Sequence, residues 1–440
     1  MLLIRALTSD LAGAEPSVSE CVITSCKASR KLTTHRPFAP LFQSRECGGL
    51  GRGVRGLSFF QQERSMDNII KKSVADVFGI NDSAFAKTVV KVFPATPDTP
   101  EDIKDFVFQG DVLRRLMVWA ASVSLPAGFF GAKMKRNLMV YGPTGCGKTA
   151  LAQVFCARTG RSLIRAQCSE DTEPSSLFGT WRLCRPLLKE EPTEEAGLIE
   201  KGIAGISRAI EKLAIAIKKT TGVGPEMTWV DGPVLRWART PNSVLLLDEF
   251  DQLPPSVAMS LNAVLDGDDI LVPETGERVK PAAGCLVAAT ANTNGRGSAG
   301  GNGGSASLYK GAKRQNVATM DRFFAIYVTY LSEAEEKQLL LKQTKVNDAV
   351  STAMAKLAAK IRRQFLGINE DAGSEGVPLE FTITTRNLLN WSMSYTLMVS
   401  TGLQSQLALK ESLRMTLLDF ATPDERRAVE DTWDNLVGNA

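Results

Sequence analysis

The sequence of 440 residues predicts an α/β fold, a doubly wound parallel sheet of five strands flanked by helices, with a smaller C-terminal α-helical lid domain. Three observations predict it. Five short apolar runs alternate with helical patterns between residues 138 and 330, as parallel strands joined by crossover helices do. The first run, Leu138 to Tyr141, opens into Gly142, Pro143, Thr144, Gly145, Cys146, Gly147, Lys148 and Thr149, and then into the helix-forming stretch Ala150 to Phe155. That is the strand, loop, helix context a phosphate-binding loop requires. From Ser332 onward almost every segment is helical in pattern.

Residues 1–65 mix Gly, Ser, Arg and Cys with no helical or strand period, and hold nine Lys or Arg against five Asp or Glu. They read as a disordered leader or the product of a mis-assigned start, since codons CAG-GAG at Gln62-Glu63 would place a ribosome site just before Met66. The Arg and Ser content also fits a transit peptide, but the five acidic residues oppose it. Residues 66–100 form an N-terminal helix and linker: Ser73 to Ile80 predicts a short helix stopped at Gly79, and Pro94, Pro97 and Pro100 mark the linker. The α/β core spans 101–331, led in by a helix from Glu101 to Val123. Its later strands are Ser162 to Arg165, Ser243 to Leu247, Cys285 to Thr290 and Phe324 to Tyr330. The lid takes 332–440.

Two insertions interrupt the core. Around 185–226, Ile199, Ile203, Ile206, Ile210, Leu213 and Ile217 follow a 4, 3, 4, 3, 4 spacing, a heptad stripe with Lys201, Arg208, Lys212, Lys218 and Lys219 on the other faces. Such a helix either packs on its own domain or offers a partner or pore element. Residues 295–304 hold six Gly in ten positions and predict a flexible loop.

Composition excludes several functions. Outside the leader 43 basic residues face 43 acidic ones, so bulk charge gives no argument for nucleic acid. No apolar run approaches the ~20 residues of a membrane span. Three of the eight cysteines (Cys21, Cys26, Cys47) lie in the leader and the rest are scattered singly. That argues against a zinc site or disulfide framework and for a reducing, cytoplasmic setting. The single histidine, His35, is also in the leader, so the chain brings no tetrapyrrole or zinc site of its own.

The chemistry gathers on the loop and on the segments at the strand ends. The glycines let successive N–H groups curl around phosphate oxygens at a helix N-terminus. Lys148 reaches the β and γ phosphates and Thr149 ligates Mg²⁺, so ATP and Mg²⁺ are the expected cofactors. Cys146, beside that helix start, is expected to have an acidified thiol. Asp248 and Glu249 end the buried Val244 strand; Asp248 would hold the Mg²⁺ shell and Glu249 would orient and deprotonate water. Such a pair is also common as surface charge. Asn292 can hydrogen-bond the γ-phosphate and the water, though Asn is a routine turn former too. Arg322 would face a neighbouring subunit's γ-phosphate as an arginine finger, or simply pair with an acid at the surface. Arg386 follows a Thr cap and would reach the phosphate from the lid side.

This order of motifs resembles the AAA+ ATPases of the branch that contains MoxR proteins and the CobS subunit of aerobic cobaltochelatase. The likeness to CobS runs through Val77-Phe78-Gly79-Ile80, Asp231-Gly232-Pro233 with Trp237-Ala238, Asp248-Glu249-Phe250-Asp251 and Ala289-Thr290-Ala291-Asn292-Thr293. It continues through Leu308-Tyr309-Lys310-Gly311, Asn316, Asp321-Arg322-Phe323, Thr385-Arg386 and Asp424-Glu425-Arg426, covering about 73–440. The chain departs in its two insertions and in Thr384-Thr385 where the family has Ser-Pro. The resemblance implies that Asn292, Arg322 and Arg386 are sensor 1, arginine finger and sensor 2. It implies a ring homo-oligomer, a hexamer, that remodels a CobT-like von Willebrand factor A domain protein, within a metal-chelatase complex in one specialisation. A motor in a nucleic-acid-processing complex is the alternative, kept open by the basic residues of the inserted helix.

Overall fold

A computed structural model describes residues 69–80, 85–122, 135–184, 226–297, 311–366 and 381–437. The leader, the stripe at 198–219, most of the Gly-rich stretch and Leu308 to Lys310 lie outside the described residues. The chain divides into two units, one ending at Pro94 and one from Ala95 onward.

In the first unit β1 (Ile70–Ser73) leads into helix α1 (Val74–Phe78), and β1 pairs antiparallel with β2 (Val89–Val92). Ser73 caps α1 in a capping box with Asp76, and Gly79 closes it in the left-handed conformation. The helix is where the sequence places it; the two strands are additions.

In the second unit the lead-in helix α2 (Gly110–Ser122) is shorter than the predicted Glu101 to Val123. Asp105 has φ +59°, which no helix tolerates, and Phe106 to Gln109 are used instead as lining beside the phosphate loop. The central sheet consists of β3 (Asn137–Tyr141), β4 (Leu163–Gln167), β7 (Val244–Asp248), β10 (Leu286–Ala291) and β11 (Phe323–Tyr327), with helix α3 (Lys148–Thr159) after β3. Its order is β11-β3-β10-β7-β4 and every pairing is parallel. All residues of β7 and β10 are buried, whereas β4, at an edge, alternates. That is the pattern of strands covered on both faces against one that is half covered. Two antiparallel hairpins stand beside this sheet, β5 (Gly179–Cys184) with β6 (Glu226–Asp231) and β8 (Ile270–Val272) with β9 (Glu277–Val279). Neither was legible as a strand pair from apolar runs.

Among the described residues five α-helices follow: α4 (Glu333–Thr344), α5 (Asp348–Leu366), α6 (Thr385–Ser400), α7 (Ser405–Thr416) and α8 (Pro423–Val437). They enclose their own core around Leu340, Ile361, Leu388, Trp391 and Trp433, with the two indoles edge to face at 5.7 Å. A separate core under the sheet is built on Leu245, Leu247, Val234, Trp237 and Ala289. Among the described residues no helix is long and apolar enough to cross a membrane.

Candidate nucleotide site

Because all five strands run parallel, the segments after β3, β7, β10 and β11 emerge at one end of the sheet, where open α/β folds hold their ligands. The phosphate loop leaves β3 at Tyr141. Gly145 and Gly147 take φ of +68° and +92°, and a Cβ at Gly145 would come within 2.3 Å of the Thr384 Cβ. Only glycine satisfies both demands at position 145. Gly147 is the N-cap of α3, and no side chain caps that helix start. Its first-turn N–H groups, with the positive end of the helix dipole, form an anion cradle.

Lys148 is buried, and its Nζ donates to the carbonyls of Gly142 (2.9 Å) and Pro143 (2.8 Å) and to Asn292 Oδ1 (3.0 Å). Burial lowers its pKa, while the charges of Asp248, Glu249 and Asp251 oppose that loss. Thr149 Oγ1 donates to Asp248 Oδ1 at 2.9 Å. The Thr290 hydroxyl also donates to Asp248 Oδ1, and the Arg165 guanidinium pairs with its other oxygen. Loop, β7, β10 and β4 therefore meet on one carboxylate.

Glu249 sits at φ +60°, a conformation costly for a residue with a Cβ and concentrated at functional sites. Its N–H donates to Thr290 Oγ1 at 3.0 Å. Its Oε2 accepts from both Gln167 and Gln252 amides at 3.0 Å, so the carboxylate is held by two neutral donors. Asp251 is 1% exposed, and its Oδ2 accepts from the N–H groups of Asn292 (2.9 Å) and Thr293 (3.0 Å) and from the Thr293 hydroxyl (3.1 Å). Burial raises the Asp251 pKa. This buried acid fixes the backbone that carries Asn292 toward Lys148.

The two arginines part company. Arg386 is exposed at the second position of α6, whose cap Thr384 packs on Gly145. Arg322 lies elsewhere: its Nε and Nη2 donate to the two Asp266 oxygens at 2.9 Å and its Nη1 to the Ala318 carbonyl at 2.6 Å. It precedes Phe323, which pairs with Asn137 at the start of β3, whereas the loop follows Tyr141 at the other end. Cys146 also departs from expectation. Burial pushes its pKa up, overriding the helix start and the Lys148 charge, and its thiol faces the Val328 carbonyl at 3.5 Å.

Residues the sequence did not single out border the loop and the strand ends. Phe106, Phe108, Gln109, Val112, Leu151 and Val328 line a small apolar recess against Cys146 and Gly147. Its signal was the run Phe106-Val107-Phe108-Gln109, which reads equally as helix. Arg165 and Gln167 occupy the exposed phase of β4, a signal visible only once that strand lies beside β7.

The donor set fits a nucleotide with Mg²⁺. The loop offers an uncapped helix start and a buried ammonium, and Thr149 and Asp248 offer the hard oxygens that Mg²⁺ takes alongside phosphates. Among the described residues there is no cluster of three or more His, Cys, Asp or Glu for another metal.

The parallel α/β sheet and the phosphate loop after β3 are similar to those of AAA domains. The AAA domain family, dynein-related subfamily, matches residues 137–198 and 214–310. Protein NorQ of Paracoccus denitrificans is 24% identical over 285 residues, 64% of this chain and 84% of its own length. An uncharacterized protein of Staphylococcus haemolyticus is 26% identical over 297 residues, 67% of this chain and 87% of its own length. Among solved structures, the Holliday junction branch migration motor RuvB of Thermotoga maritima is 14% identical, with a TM-score of 0.35 over 72% of each chain. A likeness that loose carries no argument about the present chain.

Proposed function

We propose that the chain is an ATP-hydrolysing AAA+ ring motor of the MoxR and CobS type, which remodels a partner protein. The observation that carries it is the junction of Lys148 with Asn292 and of Thr149 with Asp248, which joins the phosphate loop to the ends of β10 and β7. In this reading Gly142 to Thr149 wrap the triphosphate and Phe106 and Phe108 flank the base. Thr149 and Asp248 would hold Mg²⁺, which when bound neutralises charge on the β and γ phosphates. Glu249, oriented by Gln167 and Gln252, takes the proton of the attacking water. Asn292 orients that water, Arg386 approaches from the lid, and Arg322 serves the site of the next protomer in the ring. The resemblance to CobS favours a von Willebrand factor A domain protein as the partner; metal insertion into a tetrapyrrole would then be the work of another subunit.

The test compares two variants of the full chain. Glu249→Gln is expected to bind Mg²⁺-ATP with wild-type affinity while hydrolysis falls by about a hundredfold or more, the scale of losing a positioned general base. Lys148→Ala is expected to lose binding itself. If Glu249→Gln turns over ATP normally, the assigned mechanism is wrong. Capture of partners on ATP-loaded Glu249→Gln tests the remodelling role: a von Willebrand factor A protein supports it, and nuclease subunits or nucleic acid in its place would overturn it.

A further inference from the structure

Tyr330, between β11 and the lid, is gripped from three sides. Its hydroxyl donates to the Thr144 carbonyl, inside the phosphate loop, at 2.7 Å. Its own carbonyl and that of Thr329 accept from Gln109 Nε2 at 3.4 and 3.2 Å. The Arg362 guanidinium lies 4.2 Å from the centre of its ring, within cation–π range. Arg362 belongs to α5, but its anchors come from the two neighbouring helices. Its Nη1 donates to Glu336 Oε2 of α4 at 2.7 Å, and its Nε to the Ile383 carbonyl, just before the α6 cap, at 2.6 Å. The second Glu336 oxygen accepts from Thr385 Oγ1, at the start of α6, at 3.1 Å. One ion pair thus ties three lid helices to the residue that touches the loop.

The pair is a poor device for stability alone. The Arg362 and Glu336 side chains are 5% and 0% exposed, and desolvating two charges is often no better than packing an apolar pair of the same volume. Arg362 Nη2 is moreover buried without a hydrogen-bond partner, an arrangement that calls for a reason beyond packing. The charge is also felt at the loop, where it favours the Cys146 thiolate against burial.

We propose that Arg362 and Tyr330 are positioning residues that couple the lid to the phosphate loop, so that nucleotide held at the loop orders the start of α6. The inference rests on the nucleotide-binding role proposed for the loop. Moving Thr144 shifts the Tyr330 hydroxyl, the ring shifts the guanidinium, and the guanidinium carries Glu336 and Ile383 with it. Packed, hydrogen-bonded groups of this kind have few alternative arrangements, which is what transmits a small displacement.

The experiment is hydrogen exchange on the full chain with and without ATPγS and Mg²⁺, read at residues 142–149 and 381–390. Wild type is expected to gain protection at both segments. Tyr330→Phe keeps the ring, its packing and the stacked cation but loses the hydroxyl. It is expected to keep protection at the loop and to lose about fivefold or more of the nucleotide-dependent protection at the lid, the lower end of common coupling strengths. Arg362→Lys, which keeps charge but not the fork, is expected to act in the same direction. A purely structural role would change exchange equally with and without nucleotide, and that result overturns the inference. Full lid protection in both variants overturns it too, as does a wild-type chain protected at the loop and not at the lid. A wild-type chain with no protection at the loop would overturn the nucleotide-binding role as well.

Discussion

Two local effects compete at Cys146. The N-terminus of α3 and the Lys148 ammonium favour a thiolate, and burial disfavours it; burial is the larger. Below its raised pKa the group carries a proton and is a poor nucleophile, so reactivity rises only as pH climbs past the range of an ordinary thiol. Iodoacetamide labelling at pH 7.5, followed by mass spectrometry, is expected to be about tenfold slower at Cys146 than at a free small thiol. Labelling as fast as the free thiol would mean that the helix start wins. The sequence could show the helix terminus because that is part of the motif. It could not show the Val328 carbonyl 3.5 Å from the sulfur, which is brought there by the end of β11, 182 residues away. Glu249 makes a similar point: Asp-Glu after an apolar run is legible, but the two amides that hold the carboxylate come from β4 and from the turn after β7.

Elements were legible where one physical signal dominated. The five core strands are apolar runs, the central β7 and β10 covered on both faces, and each begins and ends within a few residues of where the runs predict. The stretch from Glu101 failed because helix-forming composition is a weak prior that tertiary use overrides: Phe106 and Phe108, rings 4.8 Å apart, are committed to the recess beside the loop. The hairpins failed because strands of three to six residues, paired across 41 intervening positions in one case, carry little periodicity. The start of α4 was within reach of the sequence, since Ser332 and Glu335 stand at capping-box spacing and form one, with the Ser332 hydroxyl accepting from the Glu335 N–H at 3.3 Å. Ser332→Ala is therefore expected to cost about 1 kcal/mol. In a unit of this size that lowers the thermal midpoint by roughly 2–4 °C, measurable by calorimetry. Because α4 also carries Glu336, ATP binding in this variant should be unchanged only if the helix start frays without moving that carboxylate.

The placement of Arg322 makes a demand on the whole molecule. It stands at the N-terminal end of β11, and the phosphate loop follows the C-terminal end of β3, four residue steps of about 3.3 Å each along the paired strand. An arginine so placed lies away from the phosphate loop of its own chain, and in the ring proposed above a neighbour would supply one to every site. Its bidentate bond to Asp266 is the resting partnership it would exchange for phosphate, and this ion pair is partly exposed, so the exchange is cheap. Subunit mixing tests the geometry directly. Arg322→Ala alone lacks the arginine at every site, and Glu249→Gln alone lacks the base at every site, so each is expected to be inactive as a uniform assembly. Mixed in equal amounts, they recreate sites in which Glu249 of one copy faces Arg322 of another, roughly a quarter of the interfaces for random cyclic assembly. ATP hydrolysis regained on mixing, in proportion to that fraction, would establish that catalysis belongs to the interface. No gain from co-assembled subunits would overturn the role of Arg322 at a neighbour's site.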